Sequence, residues 1–309
     1  MVSLIVVDYR TIGKTCDFLS QARQFLAPWD QVHCWIVDND PEKSGRAYLS
    51  ERYPLIRSET DPVRVDFFGF EGGEAGYIAA GENLGYARGN NLGIRTAKAL
   101  CGDPFFLVCN NDLRFCEPWD LTDFWKRFEQ YPRAAVLGPK ITGLDGREQN
   151  PYRKRSPLYW LFVYPWSRFG PVHSRGDYVF TSKAGEYYRL MGSCMLIRGD
   201  CFEACGGFDE KTFLFSEEMI LSERLAGKGY TCRYEPGFRV IHEHGRTVKS
   251  LAKEVQVERW FLDALFHYCR AYRGTSGLTM ALAWVNRELN LGVVALKAGI
   301  RKLLRMRRS

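Results

Sequence analysis

Phe105-Phe106-Leu107-Val108-Cys109-Asn110-Asn111-Asp112 decides the fold: five apolar residues run straight into two carboxamides and a carboxylate. The run has the length of one buried strand, so the polar triplet stands at that strand's carboxyl end. In open α/β sheets ligands settle at that edge, and one carboxylate among carbonyl oxygens suits a hard cation carried in with a diphosphate. Working outward, Val2–Asp8 and Val32–Asp38 read as further strands that end in carboxylates, with helices over 12–27 and 43–53 between and after them. Residues 66–82 hold Gly69, Gly72, Gly73, Gly76 and Gly81, which predicts loop with one short strand over 77–80. Helix over 86–100, strand over 105–109, helix over 121–130 and strand over 134–137 follow. Such βα alternation predicts a mostly parallel sheet covered by helices.

Between Gly143 and Gly185 the pattern dissolves into Pro, Arg and aromatic residues, including Tyr159-Trp160, Tyr164-Pro165-Trp166 and Phe169. A structureless stretch of that length in a compact domain predicts a functional loop or lid. Regularity returns with a strand over 191–197, a helix over 217–226 stopped at Gly227-Lys228-Gly229, and a strand over 238–241. Glu217-Glu218 opens that helix and His242-Glu243-His244 follows that strand, supplying a candidate proton acceptor and a further metal ligand. In a strand His242 and His244 point to the same face.

At 309 residues, 46% hydrophobic and 26% charged, the chain is long enough for one large core and a small appendage. Met1-Val2-Ser3-Leu4-Ile5-Val6-Val7-Asp8 carries no basic leader, and no apolar stretch nears the ~20 residues of a membrane-spanning helix. The expected location is cytoplasmic, with peripheral contact at the inner face of the plasma membrane as an extension of it. Ten scattered cysteines without Cys-x-x-Cys read as reduced thiols and not as a zinc site. Residues 251–309 hold eleven Lys/Arg against four acids, a surplus equal to the net charge of +7 for the whole chain. The preceding body is neutral, which argues against nucleic acid as partner and places the attraction for anions in the tail.

Four segments carry a resemblance: Asn83-Leu84-Gly85-Tyr86-Ala87-Arg88-Gly89-Asn90-Asn91, Asn110-Asn111-Asp112, Gly206-Gly207-Phe208-Asp209 with Phe215-Ser216-Glu217-Glu218, and His242. In order and spacing, over roughly residues 1–250, the chain resembles the family 2 inverting glycosyltransferases of bacterial surface-polysaccharide synthesis, in their rhamnosyltransferase-like branch. The resemblance implies a GT-A fold, a mixed, mostly parallel α/β sheet over 1–250, followed here by a basic helical tail over 251–309. It implies Mg²⁺ or Mn²⁺ as cofactor, a nucleotide-diphospho-sugar of dTDP-rhamnose or UDP-hexose type as donor, and a glycan acceptor, polyprenyl-linked in one version.

The same resemblance assigns roles. Asp8 would lie under the nucleotide and Asp38 would meet the base, each with a plain alternative as a turn-forming residue. Gly85 and Asn91 would line the nucleotide, Gly85 by close backbone approach. Asn110 and Asn111 would sit on the donor, Asp112 would ligate the metal, and His242 would be a metal or diphosphate ligand. Asn110 stands where the family has a first Asp, which implies a weak metal site completed by the diphosphate. Glu218 would be the general base, with Glu217 as understudy; Ile220 stands where relatives often carry another acid. Asn110 and Ile220 keep open a catalytically inactive glycan-binding or scaffold protein on the same fold. A dehydrogenase would need Gly-x-Gly-x-x-Gly after the first strand, and Tyr9-Arg10-Thr11-Ile12-Gly13-Lys14 is also too poor in glycine for a nucleotidyltransferase. In the tail, Val293, Leu296, Ile300, Leu303 and Leu304 gather beside Lys297, Arg301, Arg305 and Arg308, which suits an interfacial helix on anionic lipid, packing onto the body, or a homodimer contact.

Overall fold

The computed structural model describes residues 1–70, 72–167, 177–243 and 254–306. Its centre is an eleven-stranded mixed sheet. Val2–Asp8 lies between Val32–Asp38 and Phe105–Cys109, parallel to both, with Asp8 beside Asp38 and Val6 beside Cys109. Three carboxyl ends therefore open side by side on one edge. Gly73–Ala79 continues the parallel set, and Val65–Phe70 and Leu55–Glu59 close that side antiparallel. On the other side Cys194–Arg198 runs antiparallel to Phe105–Cys109, followed by Ala134–Gly143 and Thr231–His242, parallel to one another, and by Gly185–Tyr187. Leu113–Phe115, just past Asp112, pairs back onto the end of Thr231–His242 with Leu113 opposite His242.

The central strands are apolar on both faces because both are covered. Leu4 and Val6 join one core with Phe18 and Leu19 of helix Ile12–Phe25 and Phe124 of helix Leu121–Gln130. Ile5 and Val37 join another with Ile94 of helix Gly85–Cys101 and Leu221 and Leu225 of helix Glu217–Ala226. Asp120 caps Leu121–Gln130 by accepting from the amides of Thr122 and Asp123, which fixes the start of that helix.

Several boundaries differ from the sequence expectation. The first helix stops at Phe25, and Leu26–Ala27 pairs as a short strand with Trp119–Asp120. The glycine-rich 66–82 segment is a hairpin, Val65–Phe70 with Gly73–Ala79, and not a loop. Its glycine at 76 makes room for a neighbour: a Cβ there would lie 2.8 Å from the ring of buried Trp35. The strands expected over 134–137 and 238–241 are pieces of Ala134–Gly143 and Thr231–His242, and the one expected over 191–197 begins at Cys194. Within 143–185, Tyr159–Val163 and Tyr164–Ser167 form helical turns that bury Trp160 and Leu161.

The tail contributes helices Glu254–Tyr272 and Gly277–Met306. They share a core with helix Glu217–Ala226: Trp160, Leu161, Met219, Ile220, Leu265, Tyr268, Cys269 and Ala283 pack as one cluster. Ile220 is thus a packing residue for the tail. Asp209 fastens the same joint, accepting from Tyr272 Oη at 2.6 Å and facing His267 Nε2 at 2.6 Å. Burial alone would raise the Asp209 carboxyl, but His267 and Tyr272 outweigh it and pull it down to about 2. His244 lies outside the described residues, as do the side chains of Ile300, Arg301, Leu303, Leu304, Arg305 and Arg308.

Candidate active site

The carboxyl edge gathers the polar residues singled out from the sequence, but it divides them into two groups. In the first, the polar atoms are consumed by the protein itself. Asp8 is buried and accepts from the Thr11 amide, Thr11 Oγ1, Thr15 Oγ1 and Asn111 Nδ2, while the same Nδ2 also reaches both threonine hydroxyls. Asp8 and Asn111 thereby hold the loop after the first strand in place. Asp38 accepts from the Asp40 amide and from Tyr77 Oη at 2.6 Å. Burial raises its carboxyl above the usual range despite those bonds. Asn91 donates to the Phe208 carbonyl and Glu210 and accepts from the Phe208 amide, which ties its helix to the Gly206–Asp209 loop.

Gly85 is explained by space. Its φ is +72°, and a Cβ would lie 2.1 Å from the Phe213 carbonyl oxygen, whose hydrogen bond from the Tyr86 amide holds the two segments together. Asn39 Nδ2 donates to the Gly85 carbonyl, while Asn39 Oδ1 is buried without a hydrogen bond. The sequence reading passed over Asn39.

In the second group, polar atoms are buried and left unsatisfied. Asp112 Oδ1 accepts no hydrogen bond of good geometry and faces His242 Nε2 at 3.3 Å. The contact is an electrostatic one at the edge of hydrogen-bond distance. His242 is oriented from its other nitrogen, Nδ1 lying 2.9 Å from Gln149 Oε1, and the Glu243 amide donates to the Asp112 carbonyl. Burial alone would raise the Asp112 carboxyl; the nearby His242, with the charge of Lys14, more than offsets it and holds it low. An anionic oxygen with a free lone pair beside an imidazole nitrogen is a donor set that a divalent ion fits. Among the described residues no group of three His, Cys, Asp or Glu side chains forms a metal cluster, so other ligands would have to come from a bound anion or water.

Next to His242 opens a cavity of about 260 Å³, lined by Glu217, Glu218, Asn110, Gly192 and Ser193, with aromatic walls from Tyr86, Tyr152, Trp160, Tyr164, Tyr178 and Phe261. The acids enter it from a strained turn, since Phe215 and Ser216 both have left-handed backbones, φ +77° and +63°. Glu218 Oε1 accepts from the Gly192 amide at 2.9 Å, and Tyr86 Oη donates to the Gly192 carbonyl at 2.5 Å. A Cβ at 192 would stand 2.7 Å from Glu218 Oε1, so a side chain there would push that carboxylate aside. Glu217 is fully buried with Oε1 unpartnered, and burial plus the charge of Glu218 raises its carboxyl well above the ordinary range. Ser193 Oγ and Ser216 Oγ are likewise buried without partners. Sequence reasoning missed Gly192, Ser193, Tyr86 and the cation of this wall, Arg189, which pairs with Asp177 at 2.7 Å and stacks 3.4 Å over Tyr152. A buried Arg-Asp pair inside a stretch read as irregular gives no local signal.

No family model matches the chain. It is 27% identical over 242 residues to the N-acetylglucosaminyl-diphospho-decaprenol L-rhamnosyltransferase of Mycobacterium tuberculosis, an alignment that covers 70% of this chain and 68% of the relative. The mannosyltransferase PcManGT of Pyrobaculum calidifontis, solved with GDP-Man and Mn²⁺, superposes with a TM-score of 0.54 at 13% identity, over 96% of this chain and 71% of that one. GalNAc-T7, solved with UDP, GalNAc and Mn²⁺, gives a TM-score of 0.54 at 11% identity over 79% of this chain, which spans 44% of its length. In this chain the mixed, mostly parallel sheet brings the acidic pair and the Asn110-Asn111-Asp112 triplet to one edge. By sequence the chain is similar to rhamnosyltransferases, and its mixed, mostly parallel sheet with covering helices is the GT-A glycosyltransferase fold.

Proposed function

We infer that this glycosyltransferase moves a sugar from a nucleotide-diphospho-sugar, of the dTDP-rhamnose or UDP-hexose type, onto a hydroxyl of a polyprenyl-linked glycan, with inversion at the anomeric carbon, in cell-surface polysaccharide synthesis. The observation that carries this reading is that His242, partner of Asp112, and Glu218 line one cavity whose surroundings hold several buried, unsatisfied polar atoms. Unsatisfied buried groups cost about 1–3 kcal/mol each, so they are kept where a bound molecule satisfies them. The M. tuberculosis relative's name specifies a diphospho-decaprenol acceptor, which supports the lipid-linked class.

Asp112 and His242 would hold Mg²⁺ or Mn²⁺, which when bound neutralises the charge developing on the departing diphosphate. The chain's own residues do the rest. Glu218, held by the Gly192 amide, takes the proton of the acceptor hydroxyl. The hydroxyl oxygen bonds to the anomeric carbon from the face opposite the diphosphate, whose bond to that carbon breaks and takes the electron pair. No covalent enzyme intermediate forms. Glu217, protonated more readily than an ordinary glutamate, leaves Glu218 as the anionic member of the pair. The aromatic walls bind sugar faces and exclude water.

The test is calorimetric titration of UDP, dTDP, GDP and CDP, with and without Mn²⁺, into the protein and into Asp112→Ala. One nucleotide should bind in a metal-dependent way and lose that dependence in the variant. Absence of binding by every nucleotide to folded protein would sink the reading.

A further inference from the structure

Helix Gly277–Met306 is apolar on two opposite faces. One is covered: Ala283, Leu291 and Val294 are buried, Asn290 donates to the Pro165 carbonyl at 2.9 Å, and Asn286 donates to the Leu161 carbonyl at 2.8 Å. The other carries Leu278, Leu282, Val285, Leu289 and Leu296, exposed by 74, 57, 52, 60 and 65%. Trp284, 57% exposed, stands on its flank.

The spacing says what kind of surface covers this stripe. Apolar residues recur at 278, 282, 285, 289, 293 and 296, and the sequence continues the series at 300 and 303. That is the period of a straight helix against a plane. A coiled-coil heptad continued from Leu289 would instead put Gly292 and Gly299 on the seam. Charge says what the plane is made of. After Glu288 the chain has six basic residues and no acid. A second copy would bring like charges together, whereas an anionic surface attracts them. A tryptophan beside such a stripe suits the boundary between headgroups and acyl chains. No described helix is long and apolar enough to cross a membrane, so the helix lies on a surface and does not span it.

We propose that this exposed face docks in the headgroup region of a bilayer containing anionic phospholipid, with the helix parallel to the membrane plane. The proposal is independent of the transfer reaction, since it uses no residue of the cavity. It accounts for an apolar stripe that the body of the protein leaves uncovered although the opposite face is fully packed.

Flotation of the full chain with vesicles tests it. One set is phosphatidylcholine alone, the other equal parts phosphatidylcholine and phosphatidylglycerol. The protein should float with the anionic set, and high salt should release it. The triple variant Leu282→Gln, Leu289→Gln, Leu296→Gln, at exposed positions and checked for unchanged melting, should lose at least about tenfold in partitioning. Lys297→Gln with Arg301→Gln and Lys302→Gln should lose a comparable factor on anionic vesicles only. Equal flotation of wild type and the leucine variant would overturn the proposal. So would failure to float combined with a dimer, seen by sedimentation, that the leucine variant dissolves. Neither result needs donor or acceptor, so failure here leaves the transfer reading untouched.

Discussion

At the carboxyl edge of one sheet, two sets of polar residues meet opposite fates. Asp8, Asp38, Asn91 and Asn111 have their oxygens and amides bonded within the chain, whereas Asp112, Ser193, Ser216 and Glu217 each keep a buried atom with no hydrogen-bond partner. The two sets look alike in sequence. What separates them is whether a neighbour was supplied, which depends on residues as distant as Phe208 for Asn91. Saturated polar groups hold shape, and unsaturated ones at the same edge are available for chemistry.

The sharpest way to break this comparison is at the acids. Glu218→Gln should lower turnover by about 10³-fold, the range of a lost general base, with nucleotide affinity by calorimetry unchanged. Turnover at the wild-type rate would remove Glu218 from the role. A smaller effect is expected from Gly192→Ala, whose Cβ must displace the Glu218 carboxylate it would approach to 2.7 Å. Misplacement on that scale should cost about 10²-fold in kcat with the donor KM unmoved, measured in steady state. On the saturated side the expected effect is on folding: Asn91→Ala should lose about 3 kcal/mol by denaturant titration, because it strands the Phe208 amide and carbonyl. If Asn91→Ala kept full stability but lost nucleotide affinity, the division would be wrong.

The smallest effect concerns the joint with the tail. The Asp209 carboxyl is depressed in the folded protein, so its contribution is present above the ordinary carboxylate value of about 4 and is lost as pH falls towards about 2. Asp209→Asn should flatten the loss of stability across that window, read as urea midpoints at successive pH values. An unchanged slope would mean that Asp209 does not couple the tail to the fold.

Much of the architecture was legible. Val2–Asp8, Val32–Asp38 and Phe105–Cys109 are uninterrupted apolar runs because they are covered on both faces, and Glu217–Ala226 ends at a glycine cluster. The hairpin over Val65–Ala79 was not legible, since glycine usually marks a turn; Gly76 instead vacates space for Trp35, a long-range fact. The boundaries of Thr231–His242 were blurred for a related reason. Two register shifts along its pairing with Ala134–Gly143 interrupt the simple alternation. The acids, Asp112 and His242, singled out by their order along the chain, come together at one edge of the sheet. Gly192, Tyr86 and Arg189 line the same cavity without a local signal in the sequence, because only the convergence of distant strands and turns places them there.

Gly85 presses against the Phe213 carbonyl, its own carbonyl is gripped by Asn39, and Phe213 lies just ahead of the left-handed turn that delivers the acids. The second strand's tip and the acid-bearing turn are thereby joined through the Gly85 main chain and one short asparagine side chain, with no long side chain between to flex. The gap between them is a fixed gauge. A methyl group at position 85 would strain a left-handed backbone and force the two segments apart, resetting that gauge at a cost in stability.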